Sequence, residues 1–279
     1  MFAFINKIIA MVIIPLILNT PVLSIFKLVE AEKDLISLSE NAVYDENDPV
    51  YLTAHRGVTA SAPENSIPSY KKAVEAGYYA AECDIQLTKD GYWVLCHNDD
   101  VGRFLRVGDV KDFTLEELRE FTYMSGANFW EYQDERIPTL EEFLDVFAGT
   151  ETRPQIEIKT TSYDQLDSVV QAVEDKGMVE QAQIISFDLE QLKVIHELNP
   201  DIELWYLMDE ITEETIAEAQ AIGDNVWLSA NFSANNEQSI QLAVDAGINV
   251  SFWTVNTVED AKMLYDMGIR YIETDILCN

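Results

Sequence analysis

Two of the chain's three histidines end short apolar runs. His55 follows "YLTA" and is followed at once by Arg56 and Gly57, and His97 follows "WVLC". Histidine titrates near neutrality, so two such rings converging on one site make an acid–base pair. Acidic residues recur at a spacing that matters. Glu82 and Asp84 are two apart in "AECDI", and Glu157 and Lys159 are two apart in "QIEIK". On a strand, residues two apart share a face. Three carboxylates gathered from two neighbouring strands repel one another unless a cation sits between them. Ligation by oxygen alone suits Mg²⁺ or Ca²⁺ and not zinc. Arg56 has the fork geometry to hold phosphate oxygens, and Lys159 can neutralise developing negative charge. Together these groups suit phosphoryl transfer. His196 lies within a helical run and reads as an ordinary polar residue.

Such groups must be positioned by elements. From residue 51 onward, strand and helix patterns alternate. Strand-like runs appear at 51–55, 79–85, 155–158, 183–186, 203–207, 225–229, 249–255 and 270–274. Amphipathic runs such as "DLEQLKVIHEL" and "NEQSIQLAVDAG" separate most of them, and many close on glycine. Eight strands alternating with helices predict a (β/α)8 barrel, whose βα connections carry the chemistry at its C-terminal mouth. A doubly wound open sheet is the alternative, but no glycine-rich dinucleotide loop supports it. One segment breaks the rhythm. Lys89-Asp90-Gly91 between two alternating runs signals a hairpin. A two-residue turn at Lys89-Asp90 would make residues summing to 179 face each other, pairing Glu82 with His97 and Cys83 with Cys96. Cys83 and Cys96 then read as two buried thiols or, outside the cell, a disulfide. Residues from about 99 to 150 read as an insertion above the mouth, with a capping box at Thr114 and Glu117.

The chain carries 18 basic and 50 acidic residues, and 18 − 50 gives −32. So acidic a surface excludes nucleic acid and anionic headgroups as broad partners. Ahead of the barrel, residues 1–26 hold one charged residue, Lys7, and the run from Ile8 to Phe26 is long enough to cross a bilayer. Residues 1–30 therefore read as a signal anchor, with a cleaved signal peptide or the last span of a longer chain as alternatives. Each delivers the barrel to a membrane, on its outer face, with secretion as the alternative where the segment is cleaved. Residues 31–50 are acidic and read as a linker or short helix, and residues 51–279 form the barrel domain.

The motifs resemble one family. His55-Arg56-Gly57, Pro63-Glu64-Asn65-Ser66, Glu82-x-Asp84 with Thr88-Lys89-Asp90-Gly91, His97, Ile137-Pro138-Thr139-Leu140-Glu141-Glu142, Glu157-Ile158-Lys159 and Trp253-Thr254-Val255-Asn256 occur in the order of the glycerophosphodiester phosphodiesterases. The resemblance spans residues 51 to 276. It implies a (β/α)8 barrel with an insertion after the second strand, and cleavage of glycerophosphodiesters to an alcohol and glycerol 3-phosphate with a divalent cation. It assigns metal ligation to Glu82, Asp84 and Glu157, acid–base work to His55 and His97, and phosphate contact to Arg56 and Lys159. One departure stands out, because the family usually has Asp where this chain has Asn98.

Asn65 is expected to cap the first helix, Glu64 to orient Arg56 or His55, and Gly57 to let the backbone approach a phosphate. The expected reaction has two steps. A glycerol hydroxyl attacks phosphorus to give a cyclic phosphate, which water then opens. His55 is favoured as base and His97 as acid in the first step, although the sequence does not fix which is which. Trp253 is expected to wall the substrate with Phe104, Phe129, Trp130 and Tyr132. A phospholipase of related barrel type acting on lysophospholipid or phosphoinositide, and a non-catalytic phosphodiester-binding module, are the alternatives.

Overall fold

The computed structural model describes residues 29–279 apart from Ala31, Glu46, Thr161 and Asp164. The membrane segment expected at residues 1–30 therefore lies outside the described residues, except for Val29–Glu30. Among the described residues, no helix is long and apolar enough to cross a membrane.

Eight parallel strands close into a barrel: β1 (Tyr51–Ala54), β2 (Ala80–Leu87), β3 (Arg153–Ile158), β4 (Gln183–Ser186), β5 (Glu203–Met208), β6 (Val226–Asn231), β7 (Val250–Trp253) and β8 (Tyr271–Thr274). β8 pairs with β1, and β1 pairs with β2, so the eight parallel strands close on themselves, and the antiparallel strand Trp93–Leu95 adds to β2 beyond them. This is the expected fold, with every predicted strand in place. Helices α1 (Ile67–Glu75), α2 (Leu140–Val146), α3 (Leu166–Asp175), α4 (Leu189–Leu198), α5 (Glu213–Gln220), α6 (Glu237–Ala246) and α7 (Val258–Asp266) follow β1 to β7 in turn.

Alternation along each strand builds two separate packing layers. Leu52, Cys83, Ile156, Ile184, Leu204, Leu228, Phe252 and Ile272 point outward and join the helices in the main core. Ile185, Trp205 and Leu207 point inward, where Trp227, Trp253 and Tyr271 pack against them. At an ordinary hydrophobic yield of about 25 cal/mol per Å² of apolar surface buried, the outer layer supplies most of the driving force.

The hairpin after β2 forms, but not in the expected register. Ile85 faces Leu95, Gln86 faces Val94 and Leu87 faces Trp93. The loop holds three residues rather than two, closed by Thr88 N–H donating to the Tyr92 carbonyl at 2.9 Å, with Gly91 at φ 84°. That left-handed glycine makes a one-residue bulge and shifts every pair by one. Glu82 therefore does not face His97, and Cys83 does not face Cys96. Cys83 packs in the main core, Cys96 packs in the core of the insertion, and both are free thiols.

The insertion is shorter than expected. Val94, Cys96, Val101, Phe104, Val110, Leu118, Tyr123 and Ile137 make a small core of their own. From Leu140 onward the chain is barrel again, because Leu140, Phe143 and Leu144 of α2 pack in the main core. Thr114 and Glu117 form the expected capping box. Phe104 is buried in the insertion's core and does not wall the mouth. Phe129 packs against the same core, and the Tyr132 hydroxyl donates to the Ser61 carbonyl at 3.3 Å.

The segment expected to be a linker packs on the barrel. Ile36–Ser37 pairs in parallel with Leu277–Cys278, and Leu38, Val43 and Val50 are buried. Just before it, Val29–Glu30 pairs in parallel with Gly126–Ala127 of the insertion, and Lys33 N–H donates to the Ala60 carbonyl at 2.9 Å.

Candidate active site

The C-terminal ends of β1, β2, β3 and β8 meet at the mouth. Register places Asp84 beside Glu157 and Glu82 beside Gln155, so the two β2 acids and the β3 acid point into the barrel together. Glu82 and Asp84 are almost wholly buried, at 1% and 0% exposure. One oxygen each from Glu82, Asp84 and Glu157 lies within 4.8 Å of the others. Glu82 Oε1 and Asp84 Oδ1 are buried with no hydrogen-bond partner. A buried, unpartnered carboxylate oxygen is costly, and an all-oxygen set of three acids is what a hard divalent cation takes. The residues present thus fit Mg²⁺ or Ca²⁺.

The electrostatics show the same tension. Burial, then the charges of Asp84, Glu273 and Glu157, push the Glu82 carboxyl well above its usual range. Burial and the Asp84 charge also raise Glu157. Burial opposes ionisation of Asp84 as well, but Arg56, His97 and Lys159 outweigh it and hold that group below the ordinary value. Lys159 Nζ lies 2.8 Å from Glu157 Oε1 and 3.7 Å from Asp84 Oδ1.

The loop after β1 carries three functions in sequence. His55 N–H donates to the Thr274 carbonyl at 3.0 Å, fixing the ring beside β8. Its Nδ1 meets Asp275 Oδ1 at 2.8 Å, and its Nε2 lies 3.8 Å from Glu273 Oε1. Burial disfavours the imidazolium, but the Asp275 hydrogen bond and the Glu273 charge outweigh it, and the His55 pKa rises. Arg56 sits at φ 58°, turning its N–H to Glu82 Oε2 at 2.9 Å and its side chain to Asp84 Oδ2 at 3.3 Å and Glu64 Oε2 at 3.2 Å. Glu64 also holds Arg103 of the insertion at 2.5 Å. Glu64 therefore orients Arg56, as expected. Gly57 has a packing task here. At φ 80°, an added Cβ would stand 2.3 Å from Ser69 Oγ, so the glycine lets the loop pack on α1.

Asn65 does not cap α1. Ser66 does, accepting from Ser69 N–H. Asn65 instead donates through Nδ2 to Asp84 Oδ2 at 2.8 Å, while its Oδ1 accepts from Asp84 N–H at 3.1 Å and from the Tyr70 hydroxyl at 2.8 Å. Asn65 is thus a buried clamp that orients Asp84, one of the three acids that fit a cation.

His97 stands half-buried at the rim. Gln86 Nε2 donates to the carbonyls of Cys96 at 2.8 Å and Asn98 at 2.7 Å, which fixes the chain where the return strand ends. His97 Nδ1 meets Asn98 Oδ1 at 2.9 Å. Burial lowers the His97 pKa, and the Asp84 charge only partly offsets this. Trp253 packs edge-on against Phe187 with ring centroids 5.9 Å apart, and its indole nitrogen is buried without a partner.

His55, Arg56, Glu64, Glu82, Asp84, His97, Glu157, Lys159 and Trp253 thus all lie on barrel strands or on the connections that leave their C-terminal ends. Four participants were missed: Glu273, Asp275, Asn256 as a functional residue, and Gln86. Glu273 is buried beside His55, and burial raises its carboxyl to about 7. Asn256 Nδ2 donates to Asp275 Oδ2 at 2.8 Å, holding the acid that holds His55. Acids two apart at the end of the last strand, Glu273 and Asp275, repeat the spacing of Glu82 and Asp84 and were the available signal.

The comparisons agree with this geometry. The family model described as "Glycerophosphoryl diester phosphodiesterase family" matches residues 55–277. The chain is 30% identical over 229 residues to the glycerophosphodiester phosphodiesterase of Caldanaerobacter subterraneus subsp. tengcongensis, covering 80% of this chain and 93% of that one. A solved glycerophosphodiester phosphodiesterase from Thermotoga maritima superposes with a TM-score of 0.67 at 26% identity, covering 81% of this chain and 94% of that one. An Oleispira antarctica phosphodiesterase, solved in complex with the product sn-glycerol-3-phosphate, has the same fold, with a TM-score of 0.71 at 24% identity over 86% of this chain and 96% of that one. With the model matched from His55 to Leu277, the chain belongs to the glycerophosphoryl diester phosphodiesterase family.

Proposed function

We propose that this chain cleaves glycerophosphodiesters to an alcohol and glycerol 3-phosphate, with one divalent cation held by Glu82, Asp84 and Glu157 and with protons moved by His55 and His97. Family membership supports the activity. The observation that carries the residue assignment is the pair of buried, unpartnered carboxylate oxygens on Glu82 and Asp84 beside two histidines at the mouth. When bound, Mg²⁺ or Ca²⁺ supplies positive charge against the phosphate oxygens. Arg56 and Lys159 are held at the same place by their carboxylate partners and add positive charge for the phosphate.

The two histidines have environments that pull their pKa values apart, and such a split is the usual sign of separate acid and base roles. Burial works against the His55 imidazolium, but Asp275 and Glu273 outweigh it and raise its pKa, which suits a proton donor. Burial lowers the His97 pKa, which suits a proton acceptor. In the tautomer that donates from Nδ1 to Asn98 Oδ1, Nε2 presents its lone pair. These directions favour the reverse of the allocation drawn from sequence. In the first step His97 takes the proton of the glycerol hydroxyl as that oxygen attacks phosphorus. His55 protonates the departing alcohol oxygen as its bond to phosphorus breaks. Water then opens the cyclic phosphate with the roles exchanged. Asn98, where the family usually has Asp, suits a neutral base because it adds no charge to hold the ring protonated. Trp253 walls the site, and its free indole N–H offers a donor there.

The run from Ile8 to Phe26 tethers the barrel to a membrane, with the barrel on the outer face, where abundant Ca²⁺ makes that ion the preferred occupant. The test is a substrate panel, glycerophosphocholine and a lysophospholipid among them, run with Ca²⁺, with Mg²⁺ and with excess chelator. Turnover of glycerophosphocholine that chelator abolishes and one of the two ions restores is the expected result. Full activity in chelator would overturn the metal site.

A further inference from the structure

Two observations concern the orientation of the barrel. The first is where its exposed large apolar side chains lie. Leu105, Val107 and Trp130 are exposed on the β2–α2 connection, Tyr163 on the β3–α3 connection and Phe187 on the β4–α4 connection, and Val107 is 97% exposed. All these connections leave the C-terminal ends of strands, so all belong to the mouth face. Tyr92, in the hairpin after β2, belongs there too. Elsewhere among the described residues only Leu198, at the far end of α4, and Leu242, on the flank of α6, are comparable. An apolar set concentrated on one face marks an interaction surface, whereas single scattered residues do not.

The second observation is where the chain enters. Val29–Glu30 pairs with Gly126–Ala127, which belong to the insertion on the same face. The apolar run ends at Phe26, three residues earlier. At about 3.5 Å per residue, three residues reach at most roughly 10 Å. A bilayer crossed by that run must therefore approach the barrel within this distance of the insertion. The far end of the barrel cannot meet it.

From these two observations we infer that the mouth of the barrel faces the bilayer, with Val107, Leu105, Trp130 and Phe187 seated in the interfacial layer of an uncharged or zwitterionic lipid surface. The charge of −32 favours zwitterionic over anionic lipid. Aromatic and aliphatic side chains on loops lodge ~5–10 Å into the boundary between headgroups and acyl chains. The orientation rests on the membrane tether proposed above. It places the cation site beside the surface that carries phosphodiester headgroups and their deacylated products.

The full chain is tested in phosphatidylcholine vesicles containing acyl-chain nitroxide lipid. Cys278→Ser removes the part-exposed thiol, while Cys83 and Cys96 stay buried. A solvent-sensitive fluorophore is then attached at Val107→Cys or at Leu198→Cys. The position-107 probe should be quenched about twofold or more relative to the position-198 probe, because only it reaches the interfacial layer. Equal quenching, stronger quenching at position 198, or no quenching at either site while the protein pellets with the vesicles would overturn the orientation. Failure to pellet would overturn it together with the tether. Glycerophosphocholine turnover by the same labelled proteins, measured without vesicles, separates each of these failures from a failure of the proposed activity.

Discussion

The two ends of the barrel both bury charge, and they treat it in opposite ways. At the N-terminal end, Arg153 donates through Nη1 to the Tyr79 hydroxyl at 2.6 Å and to Glu203 Oε2 at 3.0 Å, and through Nε to the Gln181 carbonyl at 2.8 Å. Glu203 Oε1 accepts from Gln183 Nε2 at 2.6 Å and from Trp205 Nε1 at 2.8 Å. Among the described residues, no buried side-chain atom of this group lacks a partner. At the mouth, Glu82, Asp84, Glu157 and Glu273 crowd together against Arg56 and Lys159, and oxygens of Glu82 and Asp84 stay unpartnered. A closed network of hydrogen bonds locks strands in register and needs nothing further. An open one stores a penalty that a ligand can relieve, which is how scaffold and site can be told apart within one barrel.

The largest expected effect tests that contrast directly. Glu157→Ala should abolish both cation binding by calorimetry and turnover, while leaving the fold intact by circular dichroism. Arg153→Met should do the reverse. It strands Glu203 among buried groups and should cost about 3 kcal/mol in denaturant unfolding, with cation affinity nearly unchanged. If Arg153→Met lost the cation and Glu157→Ala did not, the division between the two ends would fail.

Next in size are the histidines. His55→Ala and His97→Ala should each lower kcat by roughly 10² to 10⁴, the range for general acid–base groups, with cation binding retained. A nitrophenyl diester, whose leaving group needs no proton, should restore His55→Ala more than His97→Ala. Greater rescue of His97→Ala would return the allocation to the one favoured from sequence.

Asn65→Ala sharpens the contrast at one remove from the site. It takes away the amide that orients Asp84 and should weaken cation binding by about 10- to 100-fold in a calorimetric titration. An unchanged affinity would show that Asp84 is held adequately by Arg56 alone.

The smallest effect is a displacement in pH. His55 keeps its proton to higher pH partly because of Asp275, so as an acid it works below its raised pKa and fails above it. Asp275→Asn removes the charge, the His55 pKa falls, and the alkaline limb of the kcat/KM profile should move to lower pH. The acid limb, set by His97, should stay. Movement of the acid limb instead would identify His55 as the base.

The amino-acid sequence by itself determined the barrel, because eight alternating runs with helical runs between them admit few other closed solutions. The two histidines, the three acids and the two cations were legible as candidates, the acids and Lys159 because strand alternation fixes which side chains share a face. Glu64 beside Arg56 was legible for the same local reason. Only the tertiary structure decided the rest. Gly91 entering the left-handed region made a three-residue loop, and that single residue moved His97 and Cys96 away from Glu82 and Cys83. Asn65 looked like a helix cap, and its task as clamp on Asp84 exists only because β2 lies against the β1–α1 loop. Asp275 and Glu273 reach His55 from 220 and 218 residues away along the chain because the last strand closes on the first. Local pattern is set by covalent geometry and burial, which neighbouring residues already express. The partners of a buried charge are set by barrel closure, which no short stretch of sequence contains.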